Sequence, residues 1–311
     1  MGLFFAILFV AFSSWSAHPA LAEPLSVGPA PAIVATSPRI PTRIAAANGE
    51  PEELGPVLTA QSAAVLDADS GVLLWGKQPY AVRPLASITK LLTAIAYVEV
   101  RDDRDGVSQV QIVADDIPEE GNTIVESDDI FAVHDLLAAM LIRSDNGAAR
   151  ALARSDGALV SGDAQERTAR RLGLRSVRVT DPAGLRSDNR GTAVDAARLL
   201  AAALAEDPLR SLLATARTTV DAHRDGRRAL PIVTTNALLT DGREHSYTLI
   251  GGKTGYLDEA GYNFVIEVER DGATIVVAVL GAATHLDRFR DVGVLADWIF
   301  QHFDWSEAQP G

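Results

Sequence analysis

The chain has 311 residues, 47% hydrophobic and 22% charged, which is enough apolar material and length for a folded core and excludes a disordered chain. A net charge of −13 argues against nucleic acid as a partner, since its phosphates would be repelled and the Arg residues are scattered among acids. With no Cys, disulfides, Cys-ligated zinc and a cysteine nucleophile are excluded as well.

In chain order, residues 1–22 read as a signal peptide. An apolar run from Leu3 to Phe12 leads to Ala20-Leu21-Ala22, a small-residue cleavage site before Glu23, although "MGLFF" carries no Lys or Arg. The run is too short for a relaxed membrane span, which needs roughly 20 residues. Residues 23–56 are rich in Pro and Ala without a sustained period, the composition of a linker. Folded structure is expected over residues 57–305, with a short tail at 306–311.

The folded part opens with "SAAVLDADSGVLLWGK", two short apolar runs around Asp69-Ser70-Gly71 and so a β-hairpin. Ile88, Leu91, Leu92 and Ile95 then recur at helical spacing. "VHDLLAAMLI" and "GAARALAR" predict two helices separated by Arg143-Ser144-Asp145-Asn146. "AQERTARRLGL" and "GTAVDAARLLAAALAED" predict two more, with "DPAGLRSDNR" as a loop between them. "SYTLIGGKTG", "GYNFVIEVE" and "ATIVVAVLGA" return to strands, and a helix runs from about Leu286 to Phe303. The fold class is therefore α+β. The two β segments can pair into one five-stranded antiparallel sheet, with flanking helices and an inserted helical lobe. The cleft between sheet and lobe is the default place for a site.

Of 28 basic residues only three are Lys: Lys77, Lys90 and Lys253. Lys can lose its proton when buried, whereas guanidinium stays charged, so a chain this rich in Arg keeps Lys where Arg cannot serve. Ser87 and Lys90 lie three apart at a helix start and project from one face. A serine hydroxyl needs a base to become a nucleophile, and Lys becomes one if burial and a second ammonium bring its pKa down toward roughly 7–8. Lys253 is the natural source of that second charge.

Ser-x-Asn occurs twice, as Ser144/Asn146 between two strong helices and as Ser187/Asn189 in a loop after Pro182 and Gly184. The first can be held against a cleft; the second reads as turn chemistry. Lys253-Thr254-Gly255 ends an apolar strand. Gly255 would let a peptide lie along that strand edge, and Thr254 and Lys253 offer a hydroxyl and a charge suited to a carboxylate. His134, His223, His245 and His285 lack metal-ligand spacing, so neither metal nor cofactor is expected. Asp67, Asp69 and Asp181 read as turn and cap residues.

Ser-x-x-Lys, Ser-Asp-Asn and Lys-Thr-Gly, in that order, are shared by penicillin-binding proteins and class A β-lactamases. With "PLASITKLLTA", "DPAGL", "GTAVDAARL", "TTNALL" and "GGKTGYLDEAGYNFV", the chain resembles low-molecular-mass penicillin-binding proteins of the D-alanyl-D-alanine carboxypeptidase family, peptidase family S11. The resemblance implies a β-lactamase/transpeptidase-like fold and an acyl-enzyme mechanism on peptidoglycan stem peptides, with β-lactam antibiotics as covalent inhibitors. By that resemblance Ser87 is the nucleophile and Lys90 its base, and Ser144 and Lys253 assist proton delivery to the leaving group. Asn146 holds the substrate amide, Thr254 the terminal carboxylate, and the N–H groups of Ser87 and Tyr256 the oxyanion. An exported enzyme of the periplasm or cell envelope is implied, without a C-terminal membrane anchor.

"KTGYLDEAG" and Gly147 look more like the soluble D,D-endopeptidase branch, which cuts D-Ala–diaminopimelate cross-links. Carboxypeptidase is the first expectation and endopeptidase the alternative. A β-lactamase would need a Glu-x-x-Leu-Asn loop that is missing here, Glu166 lying instead in "QERTA". A non-catalytic peptidoglycan-binding homologue is disfavoured by the three intact motifs.

Overall fold

The structure, a computed structural model, describes residues 41–44, 55–100, 108–157, 159 and 162–305. The predicted signal peptide, most of the linker and the tail at 306–311 lie outside them. All described residues fall within one unit spanning Pro38–Gly311. Inside the stretch read as a linker, Thr42–Arg43 forms a short strand, β1, that pairs with the C-terminal end of the folded part.

The expected hairpin forms as β2 (Ser62–Asp67) and β3 (Leu73–Lys77). Asp67 shapes its turn, accepting from the Ser70 N–H at 2.8 Å and from the Ser70 hydroxyl. β4 (Arg83–Pro84) leads into a 3-10 turn, Ala86–Ile88, and then α1 (Thr89–Val100). This helix is buried on nearly every side, with Leu91, Leu92, Ala94, Ile95 and Tyr97 all in the core.

After β5 (Gln109–Gln111) and β6 (Ile130–Ala132) come α2 (Val133–Ile142), α3 (Asn146–Asp156) and α4 (Asp163–Arg171). β7 (Arg190–Gly191) pairs with β4, and α5 (Ala193–Leu204) and α6 (Asp207–Leu213) follow. Thr192 and Asp195 form a capping box at the start of α5, each side chain taking a backbone N–H of the other.

Two strands not foreseen from the sequence come next, β8 (Arg217–His223) and β9 (Arg227–Val233). With β5 and β6 they make a second antiparallel sheet, ordered β5-β6-β8-β9. Only Val220 and Ala222 of β8 are buried, and β9 carries Pro231 and two Arg, so neither strand shows a strong apolar signal. Val220, Ala222 and Ile232 nevertheless join the core, and the buried Asp129 carboxylate accepts from Arg228 at 2.6 Å.

β10 (Thr248–Leu257), β11 (Gly261–Arg270) and β12 (Ala273–Ala282) are the three predicted C-terminal strands. α7 (Asp287–His302) and β13 (Phe303–Asp304), the partner of β1, close the fold. The main sheet has the order β10-β11-β12-β2-β3, all antiparallel, as the two β segments predict.

Period-2 alternation divides its side chains between two cores. Val276, Ala278 and Leu280 of β12, with Ala64 and Leu66 of β2, face the helical lobe. Ile275, Val277, Val279, Ala63 and Val65 face α7, where Phe289, Val292, Leu295 and Ile299 meet them. Both faces being covered, β10 is left as a sheet edge, and the helical lobe stands beside it. That edge is where the site lies.

Candidate active site

Ser87 sits in the 3-10 turn before α1, half-buried, on a backbone held from three sides. Asn263 of β11 donates to the carbonyls of Pro84 and Leu85 at 3.0 and 3.1 Å, while its Oδ1 accepts from the Gly281 N–H at 2.8 Å. Asn263 lies opposite Gly255 in the sheet register, so the residue that grips the turn also faces the strand end that approaches it. A Cβ at Gly255 would stand 2.9 Å from the Leu85 oxygen and 3.2 Å from the Ser87 nitrogen; only Gly permits this approach without displacing the turn. From the third side comes Gly184 of the "DPAGL" loop, at φ +75, where a Cβ would lie 2.1 Å from the Ala86 oxygen.

That loop is held by its own polar residues. Asp181 accepts from the N–H groups of Ala183, Leu185 and Arg186 at 2.9–3.1 Å, and from the Asn189 amide at 3.0 Å. Asn189 Oδ1 in turn accepts from the Thr180 and Asp181 N–H groups. The second Ser-x-Asn copy is thus the brace of a turn that backs the Ser87 segment.

Lys90 is fully buried. Its Nζ donates to Asn146 Oδ1 at 2.8 Å and to the Ala183 carbonyl at 2.6 Å, two groups that can only accept. The third neighbour is Ser87 Oγ at 2.8 Å, which carries a proton of its own. A neutral amine has two hydrogens and one lone pair, so this set of partners leaves the lone pair to the Ser87 hydroxyl. Burial pushes the Lys90 pKa down to about 7, opposed in part by the negative fields of Asp145 and Asp181.

Asn146 is the first residue of α3, not part of the connection read from the sequence. Asp145 caps that helix, accepting from the Ala148 N–H at 2.8 Å, and also ties down Thr123 and Ile124. Burial raises the pKa of Asp145. Ser144 occupies a left-handed backbone position, φ +66, as does Ala86 before the nucleophile, φ +50. Each costs about 1–3 kcal/mol and is kept by the packing around it. This turn directs Ser144 Oγ toward Lys253, whose Nζ donates to it at 2.8 Å. Burial, then the charges of Lys90 and Arg288, hold the Lys253 ammonium well below the usual lysine range. Thr254, beside it on β10, donates to Thr235 at 2.6 Å. Lys77 is elsewhere, on β3, donating to the Leu58 carbonyl at 3.0 Å.

Ser87, Ser144, Asn146, Thr254, Gly255 and Tyr256 line one groove of about 1400 Å³, with Lys90 and Lys253 beneath it. The groove also exposes a residue that sequence reasoning missed. Arg288 of α7 is 4% exposed and lines the groove, yet among the described residues no carboxylate pairs with it. Its Nη1 makes one long bond, 3.4 Å, to the Gly255 carbonyl, and its Nε has no partner. Desolvation lowers its pKa to about 10. The guanidinium rests over the Tyr262 and Phe289 rings at 5.6 and 4.8 Å, and a buried cation with no carboxylate against it among the described residues can accept an anionic group. One Arg among 25 gave no sequence signal of this, because its significance lies in the missing partner.

Glu166, weighed above for a β-lactamase, lies on α4 pairing with Arg170 at 3.3 Å and is not among the groove residues. Among the described residues no cluster of three or more His, Asp or Glu is placed to hold a metal ion.

Comparison with known proteins follows the same lines. The sequence matches the D-alanyl-D-alanine carboxypeptidase family, peptidase S11, over residues 48–284. It is 30% identical to a D-alanyl-D-alanine endopeptidase of Pseudomonas aeruginosa over 244 residues, 78% of this chain and 77% of that protein. It is 31% identical to the D-alanyl-D-alanine carboxypeptidase DacB2 of Mycobacterium tuberculosis over 251 residues, 78% of this chain and 82% of the relative. The fold is also that of the Streptomyces K15 DD-transpeptidase, with a TM-score of 0.73 at 23% identity, covering 79% of this chain and 99% of the other.

Proposed function

The chain belongs to the D-alanyl-D-alanine carboxypeptidase family, a family of serine enzymes, and from that premise we propose how its residues carry out the reaction on peptidoglycan stem peptides. Ser87 Oγ attacks the carbonyl between the two terminal D-alanines while Lys90 Nζ takes its proton. The tetrahedral oxyanion is held by the N–H groups of Ser87 and Tyr256, at the close approach of turn and strand that Gly255 permits. As the C–N bond breaks, the Ser144–Lys253 pair assists proton delivery to the departing amine, and D-Ala leaves. Water then cleaves the Ser87 ester and frees the tetrapeptide.

Asn146 has a second task, holding the substrate amide with the Nδ2 that Lys90 does not use. Substrate lies antiparallel along the free edge of β10. Its terminal carboxylate is taken by Thr254 and Arg288.

The observation that carries this reading is the partner set of Lys90, which leaves Ser87 Oγ as the one neighbour able to give it a proton. A β-lactam presents the same kind of carbonyl but keeps its leaving group tethered, so it would remain as a covalent adduct. The apolar run from Leu3 to Phe12 supports export, and a cell-wall substrate supports the periplasm or cell envelope as its place of action. Among the described residues no helix is long and apolar enough to cross a membrane.

A D,D-endopeptidase is the second reading. It is favoured by the endopeptidase relative, 30% identical over 244 residues. The test is a fluorescent penicillin applied to the protein and to Ser87→Ala. Label that disappears in the variant supports the reading; absence of label with intact penicillin overturns it. A digest of cross-linked and uncross-linked muropeptides then chooses between the two leaving groups.

A further inference from the structure

Ser144 keeps its left-handed backbone, φ +66, while its hydroxyl is engaged with Lys253. The bonds that fix this turn therefore fall on its neighbours, and one residue supplies them on both sides. Asn122 Nδ2 donates to the Arg143 carbonyl at 2.7 Å, just before Ser144, and the Asn122 carbonyl accepts from the Asn146 N–H at 2.9 Å, just after it. Asn122 is exposed on the groove wall, at the end of the loop Ile117–Asn122 that lines it. That loop is itself anchored at each end to the region it braces. Thr123 and Ile124, which follow Asn122, donate to the Asp145 carboxylate. Asp116, which precedes the loop and is 2% exposed, takes Arg154 of α3 in a two-pronged pair at 2.9 and 2.8 Å. Loop and α3 thus form one unit, and Asn122 is its contact with the Ser144 turn.

We propose that Asn122 is a positioning residue for proton delivery to the leaving group: by bracketing the turn it keeps Ser144 Oγ in reach of Lys253 Nζ. This rests on the D,D-peptidase reading given above. A serine in the left-handed region relaxes toward ordinary backbone angles once a restraint is removed, and a rotation about φ swings its Oγ away from Lys253. Substituting the Asn122 side chain releases the Arg143 carbonyl but leaves the backbone bond to Asn146 in place. Asn146 therefore stays on Lys90, and attack by Ser87 is largely spared. The step that suffers is the collapse of the tetrahedral intermediate. There the C–N bond breaks as the nitrogen gains a proton passed from Ser144 Oγ, which takes one in turn from Lys253 Nζ, and D-Ala leaves as the amine. An ester analogue places oxygen where that nitrogen stands, and an alkoxide departs with far less help from a proton donor.

The test compares two substrates with one acyl part, the amide N-acyl-D-Ala-D-Ala and the ester N-acyl-D-Ala-D-lactate. For each enzyme form kcat/KM is measured on both, and the readout is the amide-to-ester ratio. Because the ratio is internal to each preparation, it does not depend on how much of a variant folds. Asn122→Ala should lower the ratio about tenfold from the wild-type value, the scale of one hydrogen bond. Asn122→Asp keeps the shape but turns an acceptor toward the Arg143 carbonyl, and should lower it at least as far. Ser144→Ala, which removes the donor itself, should lower it further still. If Ser144→Ala lowers the ratio and Asn122→Ala leaves it unchanged, whether or not both rates fall together, the inference is overturned and the peptidase reading stands. If Ser144→Ala leaves the ratio unchanged, the proton-delivery role fails and the inference falls with it. A wild type that neither labels with penicillin nor cleaves either substrate overturns the peptidase reading itself.

Discussion

The pH dependence of acylation offers a quantitative test of Lys90 as the base. The Lys90 amine is fully buried, its two acceptor-only partners are Asn146 Oδ1 and the Ala183 carbonyl, and burial brings its pKa down to about 7. A group with that pKa is about 1% neutral at pH 5, about half neutral at pH 7 and almost wholly neutral at pH 9. If only the neutral amine accepts the Ser87 proton, the second-order acylation constant rises about 50-fold from pH 5 to pH 7 and about twofold beyond. Lys253 lies in the same field, so the midpoint is an apparent value for the pair. Lys90→Arg keeps the charge but cannot give up its proton, and should reduce acylation by roughly 10³-fold or more at every pH, the order of an essential general base. The assay is single-turnover labelling by a fluorescent penicillin from pH 4.5 to 9.5, with the fluorophore's own titration subtracted. A flat profile, a midpoint near 10, or substantial labelling by Lys90→Arg would refute the assignment.

The same burial predicts a stability effect of Lys90→Met. The folded pKa lies below the unfolded one, so Lys90 destabilises the fold in full below pH 7, and the penalty fades as pH rises toward about 10.4. The Met variant should therefore be more stable in urea at pH 7, by on the order of 1–4 kcal/mol, and the gap should narrow by pH 10. Gly184→Ala places a Cβ against the Ala86 oxygen at a positive φ, and should cost about 2–4 kcal/mol in urea unfolding while slowing acylation at least tenfold. Arg288→Gln should lower kcat/KM about 100-fold for a substrate with a free terminal carboxylate and much less for its amide, and an equal loss on both would dismiss the carboxylate role. Asp291→Ala strips the acceptor from Thr59 and Ala60, whose backbone N–H groups it takes at 3.3 and 2.7 Å, and should lower stability by about 2–3 kcal/mol.

The order of elements, the five-stranded sheet and the chemical inventory were legible along the chain because each is local. The turn at Asp67–Gly71, the helical spacing after Ile88 and the alternation in "ATIVVAVLGA" need only near neighbours to be read. The scarcity of Lys narrowed the choice to Lys77, Lys90 and Lys253 without any coordinates, and of these Lys77 lies away from the groove. The second sheet escaped because β8 and β9 each offer few buried apolar residues, Val220, Ala222 and Ile232, and their links through Asp129, Arg224 and Arg228 join residues up to about a hundred positions apart. What the tertiary structure alone decided is which charges go unanswered. Burial of the Lys90 amine lowers its pKa to about 7, and among the described residues no carboxylate is folded against Arg288. Desolvation and absent partners are properties of the surroundings, and a sequence states the residues without stating what will surround them.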